Sequence, residues 1–370
     1  MLRPSLASLS LSVSDTSTKK PIVIHHHNNL TMGGTEKMCQ IFLKHFVKDN
    51  TFDHYVAYKA DGDNTREPYF KEIVGLERMI CYESPAKLLS TIHGLKPFIL
   101  HRYSAGIPEY PFVSEIKQHT KHFVSTSVFG NQDDTIDISK VIYVSKHVQW
   151  MAGKTGIPEK GVRYPDHHVV RNPIEAPYST ENLREELGIP NDAFVFGRIG
   201  RDDESIYDPI NIQAFSKVAD SNSYFVFVNP SGSSRSDIER LRITNARYIE
   251  RTTSEVRLSQ FYNTIDVLAH ARKDGECNPA NCWESMAHGK PIISHYAHPF
   301  NGHIEVIRDC GFVVLGGDVD EYARIMKKFI NKEVDYFKLS ENCINNWQQT
   351  CTPDIVGDKQ LNIYKELLNG

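Results

Sequence analysis

Short β-branched and aromatic runs alternate, from Pro21 to the end of the chain, with longer segments whose apolar residues recur at helical spacing. This alternation predicts an α/β protein built of βα units on parallel sheets. Pro21 to His27 is the first run. It turns polar at Asn28-Asn29, and Met32-Gly33-Gly34-Thr35-Glu36 then leads into a helix with Met38, Ile41, Phe42 and Phe46 on one face. Further strands are expected at residues 52–58, 79–81, 97–100, 122–128 and 141–145, with helices at 67–74, at 147–154 and between the Ser84-Pro85 start signal and Gly94. Beyond residue 173 the alternation restarts, with strands at 194–199, 224–229, 247–250, 266–271, 291–296 and 311–315. Helices are expected there at 251–263, from 278 to a stop at Gly289, and at 322–329, 339–347 and 355–368. Such a restart favours a second domain over one enlarged sheet.

A chain of 370 residues is long enough for two domains, each with its own core. With 42 basic and 46 acidic residues the net charge is −4 and no long run of one sign occurs, which argues against a nucleic-acid surface. No stretch reaches the roughly 18 uninterrupted apolar residues of a membrane span. No transmembrane segment is expected, and peripheral membrane contact stays open. Seven cysteines without a CxxC pair point to reduced thiols and a cytoplasmic location rather than a disulfide framework. Residues 1–20 are Ser-rich and nearly free of acids, and are expected to form a disordered leader rather than a targeting peptide.

The densest chemistry lies in residues 266–305. Asn278 and Pro279 stand where a helix N-cap and first helical residue belong, and Gly289 before Lys290-Pro291 marks the stop. Glu276 sits in the loop before that helix, and Glu284 follows eight positions later in its second turn. Between them lie the N–H groups of Asn278, Pro279's successor Ala280 and the turn they open. A helix N-terminus offers unpaired donors and a positive dipole end, a usual seat for phosphate in an open α/β sheet, and carboxylates beside it accept hydrogen bonds from sugar hydroxyls. On spacing alone a loop charge at Glu276 and a solvated Glu284 remain equally open. Cys277 and Cys282 read as structural, Asp61-Gly62-Asp63 as a turn rather than a metal pair, and His25 to His27 as packing or loop polarity at a strand end.

Glu276, seven residues, Glu284, then Ser285-Met286-Ala287, Gly289, Pro291 and a β-branched run resembles the donor-site signature of retaining glycosyltransferases of family 4, which have the GT-B fold. The family's glycines and phenylalanine after the first Glu are replaced here by Cys277-Asn278-Pro279. The Gly33-Gly34-Thr35-Glu36 stretch resembles the family's amino-terminal glycine loop, and Val169 to Ile174 its passage into the second domain. His101 matches a histidine that the family commonly places near the reacting sugar; a satisfied structural histidine is the competing reading. Where the family has an Arg and, a few residues on, a Lys around the donor diphosphate, this chain keeps Arg198 and adds Arg201, but Asp202-Asp203-Glu204-Ser205 holds no Lys. Arg201 either replaces that Lys or belongs to a solvated loop. The loop before Ser254 is the one that usually faces the base.

The resemblance implies two Rossmann-like domains facing across a cleft: residues 21–172 on the acceptor side, 173–350 on the nucleotide-sugar donor side, and a terminal helix in 351–370 crossing back to the first. It implies a retaining, metal-independent transfer from a nucleotide-sugar donor, UDP- or GDP-linked, to a glycan or other acceptor, with no cofactor. Glu276 and His101 would serve the transferred sugar, Glu284 the ribose, and Gly33, Gly34, Arg198, Arg201, Asn278, Pro279 and Ala280 the donor. A nucleotide-sugar epimerase of the same fold and a non-catalytic nucleotide-sugar-binding relative are the alternatives.

Overall fold

The computed structural model describes residues 19–104, 112–130, 138–155 and 167–370. Of the Ser-rich leader expected over residues 1–20, residues 1–18 lie outside the described residues.

The first domain runs β1 (Ile22–His26), α1 (Gly34–Phe46), β2 (Asp53–Lys59), α2 (Glu67–Val74), β3 (Met79–Tyr82), α3 (Pro85–Leu95), β4 (Ile99–Ser104), α4 (Phe112–Lys117), β5 (His122–Ser127), β6 (Lys140–Tyr143), α5 (Lys146–Thr155) and β7 (His167–Val169). Its sheet has the order β3-β2-β1-β4-β5-β6-β7, parallel throughout. The second domain runs β8 (Phe194–Ile199), α6 (Ile210–Val218), β9 (Ser223–Val228), α7 (Gly232–Arg240), β10 (Ala246–Ile249), α8 (Glu255–Thr264), β11 (Val267–Ala269), β12 (Gly275–Glu276), α9 (Ala280–Ala287), β13 (Ile292–His295), β14 (Phe300–Asn301), α10 (Gly302–Ile307), β15 (Gly311–Val314) and α11 (Val319–Ile330). Helices α12 (Tyr336–Thr350) and α13 (Pro353–Asn369) end the chain. The second sheet, β10-β9-β8-β11-β13-β15, is again parallel, and β12 and β14 form a separate two-stranded ribbon.

Both sheets are buried on two faces, which is why their strands read as continuous apolar runs. Val23, Ile24, Val56, Ile99 and Val124 fill the first core, and Phe196, Phe225, Phe227, Val267 and Ile293 the second. Chain order reverses between β1 and β4 in one sheet and between β8 and β11 in the other. At such reversal points the helices leave on opposite faces, and a crevice opens beyond the strands' carboxyl ends.

The last helix packs on the first domain rather than the second. From α13, Tyr364 bonds His101, Gln360 Nε2 donates to Tyr103 at 3.2 Å, and Lys365 pairs with Asp49 at 2.8 Å. Trp347 of α12 donates to the carbonyl of Ile174 at 3.0 Å, pinning the interdomain linker.

Local differences from the sequence reading have plain causes. Ser84 and Ser254 cap α3 and α8 as their side chains suggest, accepting from the N–H groups of Lys87 and Arg257. At α9 the cap is Pro279 and helical geometry starts at Ala280, because the Asn278 amide oxygen is taken by the Trp283 indole N–H at 3.0 Å and does not turn back to the helix. Residue 94 does not end α3, which runs one residue further and closes on Lys96 in left-handed geometry. Strand β4 extends through His101 to Ser104, since β1 and β5 continue the pairing on either side.

Candidate active site

Arg198 lies at the carboxyl end of β8, beside the reversal point, and is 4% exposed. Its guanidinium stands over the Tyr207 ring at 5.9 Å, yet Nε and Nη1 have no hydrogen-bond partner. Burial draws its pKa below the usual arginine value, and the nearby Arg272 adds to that. A buried cation with unpaired donors is costly in a folded protein unless an anion completes it. The side chain is shaped to wait for one.

Opposite, the loop after β11 carries Arg272. Its Nε and Nη2 hold both oxygens of Asp274 at 2.5 and 2.9 Å, and Nη1 reaches Glu276 Oε1 at 3.1 Å. Burial raises the pKa of Glu276, and Arg272 and Arg201 pull it back. Glu276 is anchored by its backbone as well: β12 pairs with β14, so that Glu276 lies beside Asn301. Two glycines make this possible. A Cβ on Gly275, whose φ is +71°, would lie 1.7 Å from the Phe300 carbonyl oxygen, and one on Gly302 would lie 1.9 Å from that of Cys277. Arg201 is exposed and its closest acid, Asp203, is 3.9 Å away, so it is free to turn toward an anion.

The α9 N-cap residue, Pro279, offers no capping side chain, and of the first-turn N–H groups that of Cys282 is taken by Asn281 Oδ1 at 2.8 Å, which leaves those of Ala280 and Asn281 without a side-chain cap. One turn further on, Glu284 is gripped at both oxygens. Oε1 is 3.1 Å from Lys37 Nζ, and Oε2 accepts from the Tyr262 hydroxyl at 2.9 Å. Lys37 belongs to α1 of the first domain and also reaches Glu255 at 2.8 Å. Burial works against its charge, but Glu284 and Glu255 outweigh it and hold its pKa above the ordinary lysine value. The glycine loop leads into the same turn. A Cβ on Gly33 would meet Glu36 and Thr31 at 2.5 and 2.9 Å, whereas one on Gly34 would have no neighbour within 4 Å, so backbone there faces open space.

One expectation needs correcting. His101 is fully buried within the first domain, with Nδ1 bonded to the Tyr364 hydroxyl and Nε2 to the Thr126 hydroxyl at 2.8 Å, and its ring stacked on Tyr103 at 4.2 Å. Neither nitrogen is left for a sugar, so His101 is a scaffold residue. His25, His26 and His27 are likewise buried among aromatic rings. Sequence reading does not single out Lys37, Tyr262 or Arg272. Arg272 stands four residues before Glu276 in one loop, a signal that was available; Lys37 and Glu284 are 247 residues apart, and no spacing reveals them. Among the described residues no group of three or more His, Cys, Asp or Glu is placed to hold a metal ion.

Comparison with known proteins bears on the second half first. Residues 179–350 match the family model of the glycosyl transferases group 1. The whole frame is GT-B. A glycosyltransferase from Rickettsia africae superposes with a TM-score of 0.76 at 17% identity, covering 94% of this chain and 99% of that one. The Anabaena Alr3699/HepE protein, solved in complex with UDP and glucose, gives 0.73 at 16%, covering 94% and 100%. The lipopolysaccharide outer core galactosyltransferase WaaB in its apo form gives 0.70 at 15%, covering 94% and 99%. At these identities the likeness is one of fold. No curated protein sequence matches the chain. Within the GT-B frame, Arg198, Glu276 and Glu284 all fall inside the matched residues, and Lys37 reaches Glu284 alone of the three from outside them.

Proposed function

We propose that this protein is a retaining glycosyltransferase that moves a sugar from a nucleoside-diphosphate sugar to a hydroxyl of a glycan or other acceptor. The observation that carries the reading is Arg198, buried, cationic and unpaired at the reversal point of the second sheet. An arginine fork matches the geometry of a phosphate, and a buried one is worth more than an exposed one. Arg201 and the α9 N-terminus near Asn278, Pro279 and Ala280 add positive potential to the same place, and Gly33 and Gly34 bring backbone from across the cleft. The charge that develops on the departing diphosphate is thereby met without a metal ion.

Glu276 orients the donor sugar and Glu284 takes the ribose. The acceptor oxygen bonds to the anomeric carbon on the face that the diphosphate leaves, and the acceptor's proton passes to the departing phosphate oxygen, so no covalent sugar–enzyme intermediate forms. UDP-sugars are the first donors to try, since the Anabaena protein of like fold is solved with UDP and glucose; GDP-sugars come next. Seven free cysteines support a reducing, cytoplasmic setting. No helix among the described residues is long and apolar enough to cross a membrane. A melting-temperature screen against UDP-, GDP- and ADP-sugars tests the reading, because a ligand of the native state raises its apparent stability. A rise with one nucleotide class supports it, and none with any class defeats it.

A further inference from the structure

We infer that Lys37 of the first domain is a positioning residue of the donor site, holding Glu284 in the orientation in which that carboxylate receives the ribose hydroxyls. The inference rests on the reading of Glu284 as the ribose ligand and extends it across the cleft.

The geometry is specific. A carboxylate has about four lone-pair directions, two on each oxygen. In Glu284 one on Oε1 is taken by Lys37 at 3.1 Å and one on Oε2 by Tyr262 at 2.9 Å. One direction on each oxygen is left, the number that a vicinal diol fills. Two fixed donors, one from each domain, thus set the plane of the carboxylate before the nucleotide arrives.

Lys37 also keeps Glu284 where it is. Its Nζ lies 2.8 Å from Glu255 and 3.1 Å from Glu284, so a single ammonium draws together two acids carried on neighbouring helices of the second domain. The side chains of Lys37 and Glu284 are 22% and 18% exposed, too enclosed for water to screen the pair fully. Without the lysine, Glu255 and Glu284 would repel, and Glu284 would swing from its place. The donor site is therefore complete only when α1 lies against α8 and α9.

The alternative is that Lys37 occupies Glu284 as a competitor which the nucleotide must evict, or that it binds the diphosphate itself. These differ in sign and in ligand dependence. Titration calorimetry of the full chain with UDP and UMP, or GDP and GMP if the guanine nucleotide is the one bound, separates them across Lys37→Met, Lys37→Arg, Glu284→Gln and the double variant. Lys37→Met is expected to weaken both nucleotides about tenfold, which is about 1.4 kcal/mol. Lys37→Arg should recover most of the loss, and in the Glu284→Gln background Lys37→Met should cost less than about twofold, because the two residues act as one unit. Unchanged or tighter binding by Lys37→Met overturns the inference. So does a loss confined to the diphosphate, which would assign Lys37 to the phosphate, or a loss that persists in the Glu284→Gln background. If the parent protein binds none of UDP, GDP and ADP, the proposed function falls and this inference with it; if the parent binds and Lys37→Met binds equally well, only the inference falls.

Discussion

Replacing Arg198 by methionine should make the free protein more stable while removing its hold on the donor. Most arginine truncations in a core are expected to destabilise, so the sign is informative. The guanidinium is 4% exposed with Nε and Nη1 unpaired, and each buried unsatisfied donor costs about 1–3 kcal/mol. Methionine fills much of the same volume beside Tyr207 without a charge. A gain of about 2 kcal/mol follows, or a melting temperature higher by about 4–8 °C in a domain of this size. Against this stand two charge-assisted contacts to the diphosphate, each worth about 1.5–3 kcal/mol, so nucleotide affinity should fall at least about a hundredfold. Differential scanning fluorimetry with and without millimolar UDP reads both effects. A variant that melts lower than the parent when free, or that retains the parent's shift with the nucleotide, refutes the reasoning.

Three further outcomes are expected. Glu276→Ala should cut turnover sharply and leave nucleoside diphosphate binding nearly intact, whereas Glu284→Ala should weaken the diphosphate itself, because only the ribose stays on the product; equal losses of affinity with normal turnover at saturation would reverse the assignment. Burial holds His26, His27 and His54 near a pKa of about 3 in the fold, below the ordinary 6.5, so the unfolded chain binds more protons between those values and stability falls as pH drops from about 6.5 toward 3. At pH 5 the three together cost up to about 6 kcal/mol, a large part of a typical domain's stability, and urea unfolding midpoints unchanged between pH 7.5 and pH 5 would contradict this. Excess EDTA should leave transfer intact if, as proposed, arginines and a helix N-terminus meet the phosphate charge; a complete loss restored by Mn²⁺ or Mg²⁺ would count against the proposed site.

The fold was legible because its strands are buried on both faces and its helices carry their own start signals. Strand β8 coincides with its apolar run, and Ser84 and Ser254 cap the helices they precede. Errors came where a side chain had a better partner elsewhere. Asn278 gives its oxygen to Trp283 five residues on, which moves the α9 cap to Pro279, and β4 outruns its apolar stretch because β1 and β5 continue to pair with it. Glu276, Glu284 and Arg198 could be named from one chain segment each. The partners that set them could not: Lys37 meets Glu284 only through the packing of two domains, and the burial of His101 depends on Tyr364 of the last helix. A histidine at a strand reads the same in sequence whether it lines a cleft or sits beneath a helix.

The central claim is transfer from a nucleotide sugar through a diphosphate held by Arg198. Its most direct measurement is release of nucleoside diphosphate from UDP- and GDP-sugars by the purified protein, with water or a mixed oligosaccharide pool as acceptor, beside the Arg198→Met variant. The account predicts steady release of UDP or GDP by the parent, faster with the acceptor pool, and none above background by the variant. Absence of release from every donor, or equal release by the variant, would contradict it.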